Sequence, residues 1–326
     1  MNGMKGTTIP FVLMLLLLAN HGVSFVASWQ FQPPSFSLLS ANTGMGMHSE
    51  AGSAWHHFWE TFPQWHLPTT KTAKGHPQSY HYHESVQDLA NLEIPRRDGG
   101  TVLAYQTTCA SSSGKNNKKL LILLHEFFGL SQSICDKADA LANDLQCTVI
   151  APDTFRGESS TFIPKCIWLA LSTPQDRVNA DLDDVLQWYT ATTATTEESK
   201  DGSTLSLAVM GFCYGGGKAI RYTTHCQPSA ATVVCYGSPL TDVDALKRLK
   251  KPVCGIFGQD DLQFPPPVIQ AFERALQEAQ LQDDSTITVY PNVGHAFWKD
   301  MQQIEQKQEP QISAYQQVVG FLKEHL

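Results

Sequence analysis

Apolar and polar positions alternate in blocks along the last three quarters of the chain. Residues 102–108 and 120–124 read as strands, and 131–146 then places Ile134, Ala138, Leu141 and Leu145 on one face at helical spacing. Residues 147–151 are the next apolar run, and 176–190 repeats the helical pattern with Val178, Leu182, Val185, Leu186 and Tyr189. Residues 205–220, LSLAVMGFCYGGGKAI, open as an apolar run, turn sharply between glycines and continue as a helix. A strand at 231–236 follows, then a short buried one beginning at 251 and ending in Gly-Gln-Asp-Asp, a helix at 268–279, a β-branched strand from Thr286, and a closing helix at 311–326. Such alternation predicts an α/β fold, a mostly parallel sheet with helices on both faces and ligands at the C-terminal ends of the strands.

The glycine-flanked turn carries the first candidate chemistry. Cys213 is the centre of Gly211-Phe212-Cys213-Tyr214-Gly215, the pattern of a nucleophile elbow, with a thiol where serine is usual. Glycines suit a tight turn whose helix packs close to its strand. A cysteine needs only to lose a proton to become a strong nucleophile, and the start of the following helix favours the thiolate. Taken singly, the pentapeptide also fits a buried cysteine in a glycine-rich turn.

An elbow nucleophile needs a base, and the base needs an orienting carboxylate, which in the α/β-hydrolase arrangement follow as acid and then histidine. The sequence supplies them in that order. KPVCGIFGQDD (residues 251–261) puts Asp260 or Asp261 at the end of a strand, and TITVYPNVGHAF (286–297) delivers His295 after a Pro/Asn/Gly turn. Asp261, ahead of Pro265–Pro267, also suits capping of the next helix.

GFCYGGGKA, GQDD and GHAFWK, together with LILLHEFFGL at 121–130, resemble the four signature segments of the dienelactone hydrolase family, whose type member is carboxymethylenebutenolidase. The resemblance covers roughly residues 85–326 and implies an α/β-hydrolase fold. Matched residue by residue, it implies Cys213 as nucleophile, Asp260 as acid and His295 as base, leaving Asp261 to cap the proline-led helix. It further implies that Glu126 contacts the resting cysteine and helps ionise it when substrate arrives. A carboxylate beside a thiol otherwise disfavours the thiolate, so that role must be a switched one. The oxyanion hole is expected from the backbone N–H groups of Tyr214 and Phe127. Family members that use dienelactone hold its carboxylate with arginines. Lys299 stands here where one of them is expected, and nothing around 161–168 matches the second, so Lys299 is the substrate-binding candidate and dienelactone itself a poor match.

Composition narrows the partners. With 42% hydrophobic and 17% charged residues, the chain of 326 residues suits a well-buried globular enzyme. A formal net charge of −8 argues against nucleic acid or an acidic membrane surface, and the one basic cluster, at 115–119, reads as a solvated turn. No phosphate-cradling loop, metal motif or internal repeat stands in the catalytic region, and the chemistry requires no cofactor.

The N-terminal quarter differs in kind. After Lys5 the apolar run 9–19 is too short to span a bilayer but fits the core of a secretory signal, with a small-residue cleavage point near Val26-Ala27-Ser28. Residues 1–28 are therefore expected to be a signal-like leader, leaving no membrane span in the mature chain and an extracellular, lumenal or plastid destination. Residues 29–84 interleave Trp55, Trp59 and Trp65 with histidines at no helical, strand or zinc-site spacing, and read as an irregular or disordered extension, with a targeting segment as a further reading. The eight cysteines show no CxxC pair or regular spacing, which argues against a disulfide scaffold.

The sequence thus predicts a single α/β-hydrolase domain at 85–326, a cysteine-nucleophile hydrolase of a small ester or lactone. The alternatives it leaves are a binding module that has kept the fold without turnover, and a thiol-dependent acyltransferase or isomerase.

Overall fold

In a computed structural model, the described residues are 85–109, 118–194 and 205–326. The signal-like leader at 1–28, the Trp/His-rich extension to residue 84 and positions 115–117 of the basic cluster lie outside them.

Eight strands form one sheet in the order β1-β2-β4-β3-β5-β6-β7-β8. They are β1 Leu92–Pro95, β2 Thr101–Thr108, β3 Lys119–Leu124, β4 Thr148–Pro152, β5 Ser206–Phe212, β6 Ala231–Cys235, β7 Val253–Gly258 and β8 Thr286–Tyr290. The pairings β1–β2 and β2–β4 are antiparallel, and every pairing from β4 through β3 to β8 is parallel. Strands β4, β6 and β7 are buried at every position, as parallel strands covered on both faces must be, which is why they read as unbroken apolar runs. Strand β2, near the edge, alternates half-exposed and buried positions over its first four residues and is open to solvent beyond them.

The helices are α1 Val86–Leu89, α2 Gln132–Leu145, α3 Ile163–Ser172, α4 Gln175–Ala194, α5 Tyr214–His225, α6 Val243–Leu246, α7 Pro266–Glu278, α8 Gln302–Glu305 and α9 Gln311–His325. On one side of the sheet α2 and α9 bury Ile134, Ala138, Leu141, Val318 and Leu322 with Leu121, Met210 and Val233. On the other, α4 and α5 bury Val178, Leu182, Ala219 and Tyr222 with Ile122, Ile150 and Val209. Each side is a continuous apolar layer, so β5 is fixed from both faces and its C-terminal end is a rigid platform.

The expected strands and helices are present, with their ends shifted by a residue or two and α4 extended at its C-terminal end. Strand β1, helix α3 and the one-turn helices α1, α6 and α8 are additions. Strand β1 is a four-residue edge strand. Helix α3 begins at Ile163-Pro164, a proline in the first turn where its missing N–H costs nothing.

Candidate active site

Cys213 follows β5 with φ +50° and ψ −112°, a backbone conformation that non-glycine residues seldom adopt. The turn is held by Cys213 N–H donating to the Cys235 carbonyl at 2.9 Å and by Gly217 N–H donating back to the Cys213 carbonyl at 3.3 Å. Gly215 is needed because a Cβ there would stand 2.5 Å from the Leu124 carbonyl oxygen and 2.6 Å from that of His125. Helix α5 therefore starts directly against the end of β3. The half-exposed thiol is set at the N-terminus of that helix, where the unpaired amides concentrate partial positive charge.

His295 stands in the loop after β8, between Asn292 (φ +58°) and Ala296 (φ +54°). The loop reaches the end of β7 through backbone contact: Asp260 N–H donates to the Val293 carbonyl at 2.9 Å. A Cβ on Gly258 would lie 2.4 Å from the Val293 oxygen, so only glycine admits this approach. The contact brings His295 to both of its partners. Its Nε2 is 2.9 Å from Cys213 Sγ, and its Nδ1 is 2.7 Å from Asp261 Oδ2.

The acid on the histidine is thus Asp261 and not Asp260, which corrects the expectation from the sequence. With its amide committed to Val293, Asp260 lies at the outside of the turn with its side chain exposed, and the next residue turns inward. Asp261 is 1% exposed. Its Oδ1 accepts the amides of Gln263 at 2.7 Å and Phe264 at 3.1 Å, which fixes the carboxylate while Oδ2 faces the ring. Nor does Asp261 cap the proline-led helix, since α7 takes no side-chain cap and starts from Pro265.

This setting decides the charge of His295. Burial opposes its protonation, but the hydrogen bond to Asp261 and the contact with Cys213 outweigh burial and raise its pKa from 6.5 to about 10. The carboxylate can only accept, so Nδ1–H donates to it, and both contacts favour the protonated ring, with Nε2 facing sulfur.

Glu126 is placed differently from the expectation as well. It follows β3 beside the elbow, but its Oε1 accepts from the Tyr236 hydroxyl at 3.2 Å, while the sulfur is met by His295. Tyr236 shares that proton with the Trp298 carbonyl at 3.0 Å and sets its ring edge-to-face with His295, centroids 5.5 Å apart. Tyr236 sits just after β6 in no recognised motif, so the sequence alone does not single it out.

The loop after β3 is also tied to the loop after β4. Buried His125 donates from Nδ1 to the Glu126 carbonyl at 2.7 Å, and its Nε2 faces the Thr154 amide and hydroxyl at 3.1 and 2.9 Å. The Thr154 amide can only donate, so Nε2 accepts and the ring is neutral, the state that burial also favours. Thr154 Oγ1 in turn lies 3.2 Å from the Tyr214 hydroxyl. Phe127 and Tyr214, whose amides are the oxyanion-hole candidates, thus belong to segments joined through His125 and Thr154. As the first residue of α5, Tyr214 has no intrahelical acceptor for its amide.

Lys299 is exposed. Its carbonyl accepts from Ser133 Oγ at 2.5 Å and Lys137 Nζ at 2.7 Å, and its amide donates to Gln303 Oε1 at 2.7 Å, so its backbone is fixed while the side chain stays in solvent.

Residues 105–326 match the model of the dienelactone hydrolase family. A protein of Salmonella typhimurium described as "Putative carboxymethylenebutenolidase" is 31% identical over 195 residues, 56% of this chain and 68% of the relative. The solved structure of a "Putative Dienelactone Hydrolase" from Klebsiella pneumoniae superposes with a TM-score of 0.58 at 26% identity, covering 71% of this chain and 95% of its own. A "Dienelactone Hydrolase-like Promiscuous Phospotriesterase" from metagenomic libraries shares the fold, with a TM-score of 0.53 at 17% identity over 72% of this chain and 97% of its own.

Proposed function

The chain belongs to the dienelactone hydrolase family and with it to the carboxylic ester hydrolases, and we propose that it cleaves a small ester or lactone through a thioester on Cys213. The observation that carries this reading is the unbroken line from Cys213 Sγ to His295 Nε2 at 2.9 Å and from His295 Nδ1 to Asp261 Oδ2 at 2.7 Å.

In the acylation half, the Cys213 thiolate attacks the ester carbonyl carbon. A C–S bond forms and the carbonyl π pair moves to oxygen, where the amides of Tyr214 and Phe127 receive it. Collapse expels the alkoxide, which takes the Nε2 proton of His295. Asp261 stabilises the imidazolium before this transfer and holds the tautomer after it. In the second half, neutral His295 accepts a proton from water as the oxygen attacks the thioester. Collapse then releases the acid and returns sulfur as thiolate beside a protonated ring. Exposed Phe128 and Leu262, on the loops that carry Glu126 and Asp261, favour an apolar body in the substrate.

The test is single turnover of an aryl ester with intact-mass detection. A transient adduct of the acyl mass on Cys213, absent in Cys213→Ala together with turnover, supports the reading. Turnover of Cys213→Ala near the wild-type rate overturns it. Adding an acceptor alcohol separates hydrolysis from acyl transfer by the partition of the thioester, mostly to the acid in a hydrolase and mostly to the new ester in a transferase.

A further inference from the structure

Helix α2 carries a lysine on its apolar face. Lys137 is 1% exposed and ranks among the largest fully buried side chains of the described residues. Taking an ammonium out of water costs several kcal/mol, so such a group persists only where its surroundings recover that cost. Its two oxygen partners are uncharged: Nζ donates to Ser133 Oγ at 2.8 Å and to the Lys299 carbonyl at 2.7 Å. The remaining N–H direction is covered by aromatic rings, Phe212 with its centroid at 5.0 Å and Trp298 at 6.0 Å. A ring face attracts an ammonium and would repel the lone pair of a neutral amine.

These partners are adjacent in sequence to the reacting residues. Phe212 immediately precedes Cys213 on the elbow strand. Trp298 and Lys299 lie on the segment that carries His295, and the Trp298 carbonyl accepts from Tyr236, which also holds Glu126. The charged and titratable groups that face Lys137 are Glu126 from the loop after β3, Asp300 from the histidine segment, Cys235 at the end of β6 and Asp136 on its own helix. Burial lowers the lysine's pKa, and the three carboxylates, Glu126 first, work against that loss.

The geometry points to Lys137 as a positioning residue: a buried ammonium that ties the His295 segment to α2 at the Lys299 carbonyl and sets a positive charge against Phe212, on the strand that leads into Cys213. The inference rests on Cys213 reacting as a thiolate. It explains why a helix buried on this face keeps a cation where leucine or methionine packs at less cost.

The experiment measures the pH dependence of iodoacetamide modification of Cys213, kcat/KM for an aryl ester and the thermal midpoint in wild type, Lys137→Met and Ser133→Ala. Lys137→Met removes the charge but keeps the length. The Lys299 carbonyl retains Ser133 Oγ as donor, so the variant should be as stable as wild type or more so. The inference expects the thiol midpoint to rise by roughly half a pH unit or more and kcat/KM at neutral pH to fall about tenfold. Ser133→Ala keeps the charge and should leave the thiol midpoint unmoved. An unchanged midpoint and kcat/KM in folded Lys137→Met overturns the assignment while leaving the thiolate mechanism intact. If Cys213 is not selectively modified even in wild type, it is the thiolate mechanism that fails. Should Lys137→Met not fold, Lys137→Gln repeats the neutral test, and failure of both to fold identifies a purely structural lysine and overturns the assignment.

Discussion

Asp261 Oδ2 lies 2.7 Å from His295 Nδ1, and the other oxygen of the same carboxylate is fixed by two backbone amides, those of Gln263 and Phe264. The acid that orients the imidazole is therefore itself held by the turn it sits in. Asp261→Asn preserves the shape but stabilises the wrong ring tautomer, and kcat should fall by orders of magnitude, roughly 10⁴ where this change has been characterised in a serine triad. Asp260→Asn, at an exposed position, should stay within a few-fold of wild type. Steady-state turnover of the two variants checks this, and a severe loss in Asp260→Asn with activity kept in Asp261→Asn would reverse the assignment.

The raised pKa of His295 sets a pH window. The proton that the leaving alkoxide takes is present up to a pKa of about 10, so kcat/KM should hold through neutral pH and decline as pH rises through that value. Removing the hydrogen bond from Asp261 should draw this alkaline limb toward the ordinary histidine range, by roughly 1–3 pH units. Stability follows the same group. Because the folded value lies above the unfolded 6.5, the stabilisation is complete below pH 6.5 and is lost as pH rises toward 10. A pH–rate profile and thermal midpoints across that interval test both statements, and an alkaline limb near 6.5 in wild type contradicts an imidazolium at neutral pH.

Among the cysteines Cys213 combines partial exposure, a helix N-terminus and an imidazole at 2.9 Å. Elsewhere burial works the other way. It pushes the thiols of Cys147 and Cys254 up to about 12, takes Cys235 well above the usual range and raises Cys166 and Cys226. One equivalent of iodoacetamide at neutral pH should therefore modify Cys213 first and abolish ester turnover in proportion. Peptide mapping checks the site, and prior loss of another thiol with full activity retained would remove Cys213 from its role.

How far the sequence discloses this arrangement depends on whether a feature is local. Strands β3 to β7 are legible because burial on both faces forces unbroken apolar runs, and the elbow is legible because its glycines answer a steric demand a few residues away. Helix α3 is less so: Ile163, Trp168 and Leu171 are exposed while Cys166 and Leu169 are buried, so its apolar residues mark no single side. The choice between Asp260 and Asp261 turns on one backbone hydrogen bond to Val293, on another loop, which no periodicity reports. Lys137 falls on the same helical face as Ile134, Ala138 and Leu141, so its oddity is visible in the sequence. What it serves is not, because its acceptor is a carbonyl 162 positions away.

That carbonyl belongs to Lys299, and the way its backbone is held bears on substrate choice. The peptide is fixed on both sides, by Ser133 and Lys137 at the oxygen and by Gln303 at the nitrogen. The neighbouring carboxylate of Asp300 is occupied in accepting the Gln303 amide at 3.0 Å. The exposed ammonium is thus rooted four residues beyond His295 on a segment of set course, with Asp300 directed to the helix start. An anionic group on the substrate should be favoured by this charge, but loosely, since lysine lacks the fork with which arginine grips a carboxylate and solvent screens an exposed pair. A lactone bearing a carboxylate should accordingly be turned over a few-fold to about tenfold better than its methyl ester, with the difference in KM more than in kcat. Lys299→Met should erase the preference and leave the rate on the methyl ester unchanged, and about 0.5 M salt should shrink it in wild type. Equal kcat/KM for the two substrates in wild type would remove anion recognition from the site, and a preference that survives the substitution would place it on another residue.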